Sequence, residues 1–406
     1  MPYLPPGLPE PNYDESKVPV FELPSPLRKA DGSVVSTAEE WENSRRSEII
    51  SLLEKHMFGA IPPAPQKTEI IVSEETEVFG GLGKRRFVQL KFSDRYASDI
   101  AFDLVVYIPT SASETAPCPC AVGLNFGGNH SVEFDESIAL PTYRFPEKMP
   151  ARGSQHTRWV PEYLLERGFA LITGGYNQLF TDETNGTADS IYRLFYSAET
   201  LAKTAPGELT AISAWSWGLV RIMDYITQCS CIDKNKVIVT GHSRLGKTAL
   251  WAGANDTRFS VVVSNNSGCG GAALTKREFG ETLEIMNGIF PHWLTPQAKL
   301  DGKMPQEICH DQNFLLSLAA PRALAVASAD ADIWADPKGE FLGLVGTNDV
   351  YKLYGRPEIA DSPVPQGGDS IDNGIRHYHC RVGKHDIQQY DWEKYLDFAL
   401  RFWEKA

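Results

Sequence analysis

Ser243 stands in a sequence context that is typical of a nucleophilic serine. Residues 237–240 form an apolar, β-branched run, and residues 241–246 continue it as Gly-His-Ser-Arg-Leu-Gly. Gly241 leaves room for a sharp turn because it has no Cβ, and Gly246 lets the following helix pack close to the strand. We therefore predict a strand–turn–helix elbow, one residue longer than Gly-x-Ser-x-Gly, with an exposed serine hydroxyl. The chemistry that this elbow predicts is acyl transfer through a serine ester.

A serine nucleophile needs a base within hydrogen-bond reach and an acid that orients this base. With an elbow of this kind the chain order is serine, acid and histidine. His385 lies between the predicted last strand and the last helix, so we predict that it is the base; the alternative is a histidine in a surface loop. The acid is expected after the preceding strand, where Asp330, Asp332 and Asp336 compete and spacing alone does not separate them.

Oxyanion donors are expected on two loops. One donor is the amide of Arg244, directly after the nucleophile, and another is expected in residues 126–130, Phe-Gly-Gly-Asn-His, where a simple tight turn is the alternative. The Arg244 guanidinium is suited to the oxyanion or to a substrate carboxylate, and an ion pair on the helix is the alternative. Lys247 follows Ser243 by one helical turn, so it either faces the same pocket or points to solvent.

The surrounding pattern predicts an α/β fold with a mainly parallel sheet. Three alternating stretches, at 69–72, 86–92 and 100–108, predict antiparallel strands near the start. Strands and helices then alternate, which is typical of a parallel sheet that is covered by helices on both faces. The predicted later strands are 120–126, 169–173, 237–240, 259–263, 323–327 and 376–382, and the predicted helices are 36–58, 161–167, 209–226, 245–254 and 390–403.

We expect one catalytic domain rather than two. Residues 1–35 are rich in proline and polar side chains, which predicts an N-terminal arm that wraps around the domain. No internal repeat or low-complexity linker divides residues 36–406, so they are assigned to a single domain. Residues from about 268 to 313, called the insert below, are predicted to form a layer over the site.

Composition excludes several classes of protein. Of the 406 residues, 42% are hydrophobic and 22% charged, which suits a globular fold with a large core. The net charge of -13 argues against nucleic acid as a partner, and no apolar run approaches the roughly 18 residues of a membrane helix. The first seven residues lack the regions of a signal peptide, so either none exists or the sequence starts after it. The seven cysteines lack the spacing of a zinc site, and most are expected to be buried thiols.

Five longer motifs follow one another along the chain. They are Ala-Trp-Ser-Trp-Gly at 214–218, Gly-His-Ser-Arg-Leu-Gly-Lys at 241–247, Ser-Asn-Asn-Ser-Gly-Cys-Gly-Gly-Ala-Ala at 264–273, Phe-Pro-His-Trp at 290–293 and Trp-Ala-Asp-Pro-Lys-Gly-Glu-Phe at 334–341. In this order they resemble the bacterial glucuronoyl esterases of carbohydrate esterase family 15, and the similarity runs from about residue 125 to the C-terminus. The resemblance implies an α/β-hydrolase fold, a three-layer αβα sandwich with no metal or other cofactor. It also implies hydrolysis of the ester between 4-O-methyl-glucuronic acid on xylan and lignin alcohols.

The resemblance also implies roles for individual residues. Ser243 is similar in position to the family's nucleophile, His385 to its base, and Arg244 to an arginine that supports the oxyanion. Three further residues resemble those that hold the ring hydroxyls of the uronate: Lys247, Glu281 and Trp334.

Asn266 marks a departure from the commoner family pattern. Many members carry the glutamate of the triad in the segment that matches residues 264–268, but an asparagine cannot act as a carboxylate. A subset of bacterial members has instead an aspartate in Asp-x-Trp, which matches residues 332–334, so the resemblance favours Asp332 as the acid. His242 stands where fungal members have a disulfide-forming cysteine, so that disulfide is absent here.

Three functions remain compatible with these features. The leading hypothesis is a glucuronoyl esterase that works through an acyl-enzyme intermediate on glucuronoxylan and lignin–carbohydrate esters. The alternatives are an acetyl xylan esterase or other carbohydrate esterase, and an inactive carbohydrate-binding protein on the same fold. Lys247, Glu281 and Trp334 favour the first, because an acetyl group needs no such contacts. We expect a monomer that is secreted or periplasmic, since the substrate is a polymer, and no nucleic-acid or membrane partner.

Overall fold

The computed structural model describes residues 4–141 and 149–405, so residues 1–3 of the predicted arm lie outside the described part. The described strands form one sheet of 11 strands in the order β1-β3-β4-β6-β5-β7-β8-β9-β11-β10, with β2 paired to β3. These strands are β1 (Lys67–Val72), β2 (Thr76–Val78), β3 (Gly83–Ser93), β4 (Ile100–Pro109), β5 (Cys118–Asn125), β6 (Ala170–Gly175), β7 (Ile232–His242), β8 (Val261–Asn265), β9 (Ala323–Ala329), β10 (Ser370–Asp372) and β11 (Arg376–Arg381).

The centre of the sheet is parallel and its margins are antiparallel. Strands β6, β5, β7, β8, β9 and β11 pair in parallel, whereas β1 to β4 and β10 pair in antiparallel fashion. The predicted mainly parallel sheet is therefore confirmed. Sequence reasoning missed β2 and β10. Each of these strands has three residues, which is too few to show an alternating pattern. It also started β7 too late, because residues 233–236 are polar and largely exposed although they extend the strand.

Helices cover both faces and complete the expected three layers. Strand residues alternate between two cores, so Val237 and Val239 pack on one face and Ile238 on the other. The helices are 38–58 (which includes two π-helical segments), His156–Trp159, Pro161–Glu166, Ala198–Lys203, Ala211–Ile226, Arg244–Asn255, Leu283–Ile289, Pro296–Asp301, Gln312–Ser317, Pro337–Val345, Asn348–Leu353 and Gln389–Trp403. Among the described residues, no helix is both long and apolar enough to cross a bilayer.

All seven cysteine thiols are free. The prediction that most of them are buried is confirmed, since four are buried and two more are partly buried. The buried ones are Cys118, Cys120, Cys269 and Cys380, the partly buried ones are Cys229 and Cys231, and Cys309 is exposed.

The N-terminal arm lies along the insert. The carbonyl of Asn12 accepts a hydrogen bond of 2.8 Å from the amide of Gly280. Glu15 bridges two cations, with Arg277 at 2.5 Å and Lys338 at 2.6 Å. Through these contacts the arm packs against the insert and the start of helix Pro337–Val345.

A buried carboxyl group joins the start of the insert to the sheet. Glu340 Oε1 accepts a hydrogen bond from the amide of Gly268 (2.9 Å) and lies 3.2 Å from the Ser267 hydroxyl. Its Oε2 atom lies 2.6 Å from the hydroxyl of Ser328, near the end of β9. Burial raises the pKa of Glu340 to about 8, although Ser328 and Gly268 act in the opposite direction. The carboxyl is therefore mainly protonated at neutral pH.

The substitution Glu340→Gln is expected to alter how stability depends on pH. The pKa of about 8 in the folded state lies above the ordinary glutamate value of 4.5, so the folded state holds the proton more tightly. The stability that this proton contributes is complete below the ordinary pKa and is lost as pH rises through about 8. Glutamine does not titrate, so the stability of the variant relative to wild type is expected to improve steadily from pH 5 to pH 8.

Urea unfolding of both proteins across this pH range measures that difference. Glu358→Gln removes an exposed carboxylate that pairs with Lys352 and serves as the control. A stability difference between Glu340→Gln and wild type that stays constant with pH would contradict the prediction.

Candidate active site

Ser243 forms the tip of a sharp turn between β7 and the helix Arg244–Asn255, called the elbow helix below. Its backbone has φ 58° and ψ -128°, a region that costs a non-glycine residue about 1–3 kcal/mol. A Cβ at position 241 would overlap the carbonyl oxygen of Leu245, and a Cβ at Gly246 would lie 3.0 Å from the carbonyl oxygen of Gly241. The predicted elbow is therefore confirmed, and both glycines are needed for its close approach.

Neighbouring parallel strands bring the candidate residues to one edge of the sheet. Strands β7, β8, β9 and β11 lie side by side, so the loops at their carboxyl ends meet. The amide of Ser243 donates to the carbonyl of Asn265 at 2.9 Å, and the amide of Asn266 donates to the carbonyl of Ala327 at 2.7 Å. The ring of His385 lies 4.4 Å from the ring of His242, the residue before the serine.

His385 and Asp332 form a hydrogen-bonded pair. His385 Nδ1 lies 2.6 Å from Asp332 Oδ2, and the aspartate is 5% exposed. The side-chain amide of Asn266 donates to the same Oδ2 atom at 2.8 Å. Sequence reasoning treated Asn266 only as an absent carboxylate and missed this donor. The position of this donor depends on the register between β8 and β9 and on the left-handed backbone of Asn266, whose φ is 45°.

The three competing aspartates have different partners in the structure. Asp330 accepts a hydrogen bond from the amide of Gly383 at 2.8 Å, so it stabilises the turn before the histidine. Asp336 pairs with Arg277 at 2.8 Å and accepts from the amide of Gly339, at the start of helix Pro337–Val345. Of these three aspartates, Asp332 is the one that forms a hydrogen bond with His385.

The Arg244 side chain forms an ion pair with Asp182, a residue that sequence reasoning missed. Asp182 also accepts hydrogen bonds from His292 Nε2 (2.8 Å), Trp293 Nε1 (2.7 Å) and the hydroxyl of Tyr176 (3.0 Å). Burial alone would raise the pKa of Asp182, but His292, Arg244 and Trp293 lower it to about 2. The carboxylate is therefore charged at neutral pH and fixes the guanidinium at the site.

Aromatic rings surround the Arg244 guanidinium. Its central carbon lies 4.5 Å from the ring centre of Trp293, 5.2 Å from that of Phe290 and 5.9 Å from that of Phe126. Rings at these distances attract a cation through their negative faces. The ion pair with Asp182 links the start of the elbow helix to the loop around Asp182, rather than two turns of that helix.

The predicted second oxyanion loop is a tight turn. Gly128 has φ 83°, and its carbonyl accepts from the amide of Ser131 at 2.9 Å. The side chain of Asn129 donates to the carbonyl of Asp103 at 2.8 Å and accepts from Asn125 at 3.0 Å, so both of its ends are engaged. These contacts favour the turn interpretation, which sequence spacing had left open.

Lys247, Glu281 and Trp334 lie together on the insert side of the site. Lys247 is 3% exposed, its ammonium donates to the carbonyl of Ser267 at 2.6 Å, and it lies 5.7 Å from the Trp293 ring centre. The amide of Glu281 donates to the carbonyl of Trp334 at 2.9 Å. Burial lowers the pKa of Lys247 and raises that of Glu281, and each charge opposes the shift of the other. The alternative of a solvent-exposed lysine is therefore wrong.

The N-terminal arm also reaches this region, which sequence reasoning did not predict. The ring of Tyr13 packs edge-on against Phe279, 6.2 Å between centres, next to the contact between Asn12 and Gly280. Burial, followed by the negative charges of Asp332 and Glu281, raises the pKa of the Tyr13 hydroxyl. A proline-rich arm carries no sequence pattern that would have indicated this contact.

The predicted site residues do not form a group with metal-ligand spacing. Within the described residues, the grouping with such spacing is His56, Asp301 and His310, and it includes none of them.

Known proteins resemble this chain in both sequence and structure. The sequence model of a family described as "Glucuronyl esterase, fungi" matches residues 125–355. Carbohydrate esterase MZ0003, from an unknown prokaryotic organism, is 37% identical over 96% of this chain and 91% of its own. A solved glucuronoyl esterase from Solibacter usitatus is 37% identical, with a TM-score of 0.88 over 96% of this chain and 100% of that one.

A third relative has the same extent of similarity. The solved structure of a promiscuous CE15 esterase from a marine bacterial metagenome is 36% identical, with a TM-score of 0.86 over 97% of this chain and 100% of that one. These relatives match this chain over nearly its whole length in both sequence and structure, which indicates common family membership. The chain therefore belongs to the glucuronoyl esterases of carbohydrate esterase family 15, and it is a carboxylic ester hydrolase with the α/β-hydrolase fold.

Proposed function

We propose that this enzyme hydrolyses the ester between 4-O-methyl-glucuronic acid of glucuronoxylan and lignin alcohols through an acyl-enzyme on Ser243. The observation that carries the proposal is the hydrogen-bonded pair of His385 and Asp332 at the sheet edge where the elbow presents this serine. Family membership supports the ester and the uronate. The polymeric substrate supports a secreted or periplasmic location, and we propose that the enzyme acts as a monomer.

In the first half of the reaction, Ser243 Oγ attacks the C6 carbonyl carbon of the uronate ester. His385 accepts the serine proton as the bond to carbon forms, and then donates it to the leaving alcohol oxygen as the ester bond breaks. Water repeats the sequence on the acyl-enzyme: His385 takes its proton, hydroxide adds to the carbonyl, and the serine leaves with the proton. The products are the alcohol and free glucuronate.

Asp332 orients the imidazole and stabilises its charged form. Its Oδ2 atom accepts from His385 Nδ1, which leaves Nε2 as the nitrogen for the serine proton. The second bond, from Asn266, holds the same oxygen in place. An asparagine at position 266 thus serves the triad as a donor, where the commoner family pattern has the acid.

The oxyanion is assigned to the first turn of the elbow helix. The Ser243 amide already donates to Asn265, so the backbone donor at this place is the amide of Arg244, where the positive end of the helix dipole adds to its effect. The guanidinium of Arg244, fixed by Asp182, supplies a permanent positive charge beside it. Because Asp182 holds this group before substrate arrives, little reorganisation is needed during the reaction.

The sugar is assigned to the insert side of the site. Lys247 and Glu281 offer a charged donor and an acceptor, and Trp334 offers an aromatic face, which together suit a ring that carries several hydroxyl groups. An acetyl xylan esterase would need none of these groups for its acyl part. Rates on methyl glucuronate and on acetylated xylan, measured side by side, discriminate between the two esterases.

Ser243→Ala is expected to lower kcat on benzyl glucuronate by at least about 1,000-fold, because no other group can form the acyl-enzyme. Binding of glucuronate is expected to remain. A serine-directed phosphonate should label wild type and leave the variant unlabelled. If the variant kept its activity, the mechanism would be wrong. If wild type bound xylan oligosaccharides but resisted the phosphonate, the protein would be a carbohydrate-binding protein instead.

Asp332→Asn is expected to lower kcat by about 100- to 10,000-fold, because an amide cannot stabilise the imidazolium. Asp330→Asn is the matched control, since Asp330 bonds to the amide of Gly383 instead of the histidine. Steady-state kinetics on benzyl glucuronate give both values. Near-full turnover in Asp332→Asn, together with loss in Asp330→Asn, would refute the assignment of the acid.

Asp182→Asn is expected to lower kcat by up to about 100-fold, because the Arg244 guanidinium loses the charge that positions it. Arg244→Gln should cost a similar factor, and the double variant should be no worse than the worse single one, since the two groups act as a unit. The control is Asp99→Asn, which breaks an exposed pair with Arg193. Additive losses in the double variant would contradict the proposed coupling.

A further inference from the structure

Three side chains with metal-binding chemistry meet away from the residues that the mechanism uses. His56 lies near the end of helix 38–58, Asp301 ends the helix Pro296–Asp301, and His310 precedes the helix Gln312–Ser317. One candidate ligand atom from each of them lies within 4.8 Å of the other two. His56 is 245 positions away from Asp301 in sequence, so the fold itself brings the first helix to the segment that carries Asp301 and His310.

Two of the groups already hold each other in place. His56 Nδ1 lies 2.7 Å from Asp301 Oδ2, and the side-chain amide of Gln297 donates to the other carboxylate oxygen, Oδ1, at 2.8 Å. The ring of His310 stands nearly perpendicular to that of His56, at 78° and 5.4 Å between centres. A carboxylate that is oriented by a second hydrogen bond is the arrangement in which metal sites fix their ligands.

His310 supplies the observation that points to a ligand. It is 2% exposed, and its Nε2 atom is buried without a hydrogen-bond partner. A buried polar atom that lacks a partner is unfavourable, so a group that engages it would stabilise the protein. An imidazole nitrogen without a hydrogen-bond partner can offer its lone pair to a cation when the ring is neutral.

The surrounding charge is close to balanced. Asp301 contributes a negative charge, and the ammonium of Lys276 is a positive charge near His310. Lys276 donates to the carbonyls of Pro305 (3.2 Å) and Gln306 (2.7 Å), so its charge is held by groups other than the cluster. This balance predicts moderate affinity rather than the tight binding of a site with several anionic ligands.

We propose that His56, Asp301 and His310 bind a divalent zinc ion, with water as the fourth ligand. Two imidazole nitrogens and one carboxylate oxygen suit zinc, whereas calcium and magnesium prefer ligand sets made of oxygen. Zinc bonds of about 2.0–2.2 Å place tetrahedral ligand atoms roughly 3.3 Å apart. His56 and Asp301 must therefore move apart by several tenths of an ångström, and the ion replaces their hydrogen bond.

The ion would fasten the first helix to the insert. The amide of Thr295 donates to the carbonyl of Met57 at 2.9 Å, and its hydroxyl donates to the carbonyl of Lys55 at 3.0 Å, beside the cluster. The insert also carries Glu281 and Trp293, which belong to the proposed substrate site. The role is structural: zinc raises the stability of the folded protein by binding it in preference to the unfolded chain.

The test uses the full chain without an affinity tag, stripped of metal with a chelator and then dialysed. Titration with zinc chloride, followed by calorimetry and elemental analysis, is expected to give one bound ion per chain and a higher Tm. His310→Gln is expected to weaken binding by at least about tenfold and to abolish the rise in Tm. Asp301→Asn is the second variant, so that the proposal stays testable if one of them does not fold. Cobalt should give the visible absorption of a tetrahedral site in wild type and in neither of these two variants.

Two controls separate this site from others on the same chain. His156→Gln removes a histidine in another part of the fold, and Cys309→Ser removes the exposed thiol next to His310. Both variants are expected to bind zinc as wild type does. The proposal fails if wild type binds no zinc at micromolar concentration, if both cluster variants keep full affinity, or if Cys309→Ser alone removes the ion.

Discussion

The backbone conformation of Ser243 is the constraint on which the rest of the site depends. A serine at φ 58° is strained, and the strain persists because its amide is bonded to Asn265 and the helix begins at the next residue. Such a turn is compatible only with glycine at positions 241 and 246, where any side chain would meet backbone or neighbouring atoms. The same bond uses up the amide of the serine, so the elbow determines which backbone group is left for the oxyanion.

Two ionic groups lie beside this turn. Asp182 pairs with Arg244 and accepts hydrogen bonds from His292, Trp293 and Tyr176, and Lys247 and Glu281 oppose each other's pKa shifts. In each group a carboxylate lowers the cost of burying the cation. A protein with a net charge of -13 can therefore keep positive side chains beside its nucleophile. These groups belong to the elbow helix, the loop around Asp182 and the insert.

Sequence predicted the elements whose signals are local. The elbow glycines, the alternation of strands and helices, and the position of His385 after the last long strand all follow from short patterns. Asp332 needed the family resemblance as well, because three aspartates share one loop. The bonds of Asp182 to Arg244 and His292 join residues 62 and 110 positions apart. Such contacts, like the bond from Asn266 to Asp332, depend on packing and register and leave no pattern in the sequence.

The N-terminal arm has a consequence for the order in which the protein assembles during synthesis. Asn12 and Glu15 contact residues 277–280 and Lys338, while His385 belongs to the last loop of the chain. Asn12 and Glu15 are synthesised before these partners and must therefore wait for them. Contacts of such long sequence separation form slowly. Most of the sheet can pair earlier, but the active site becomes complete only when the loop that carries His385 has been made.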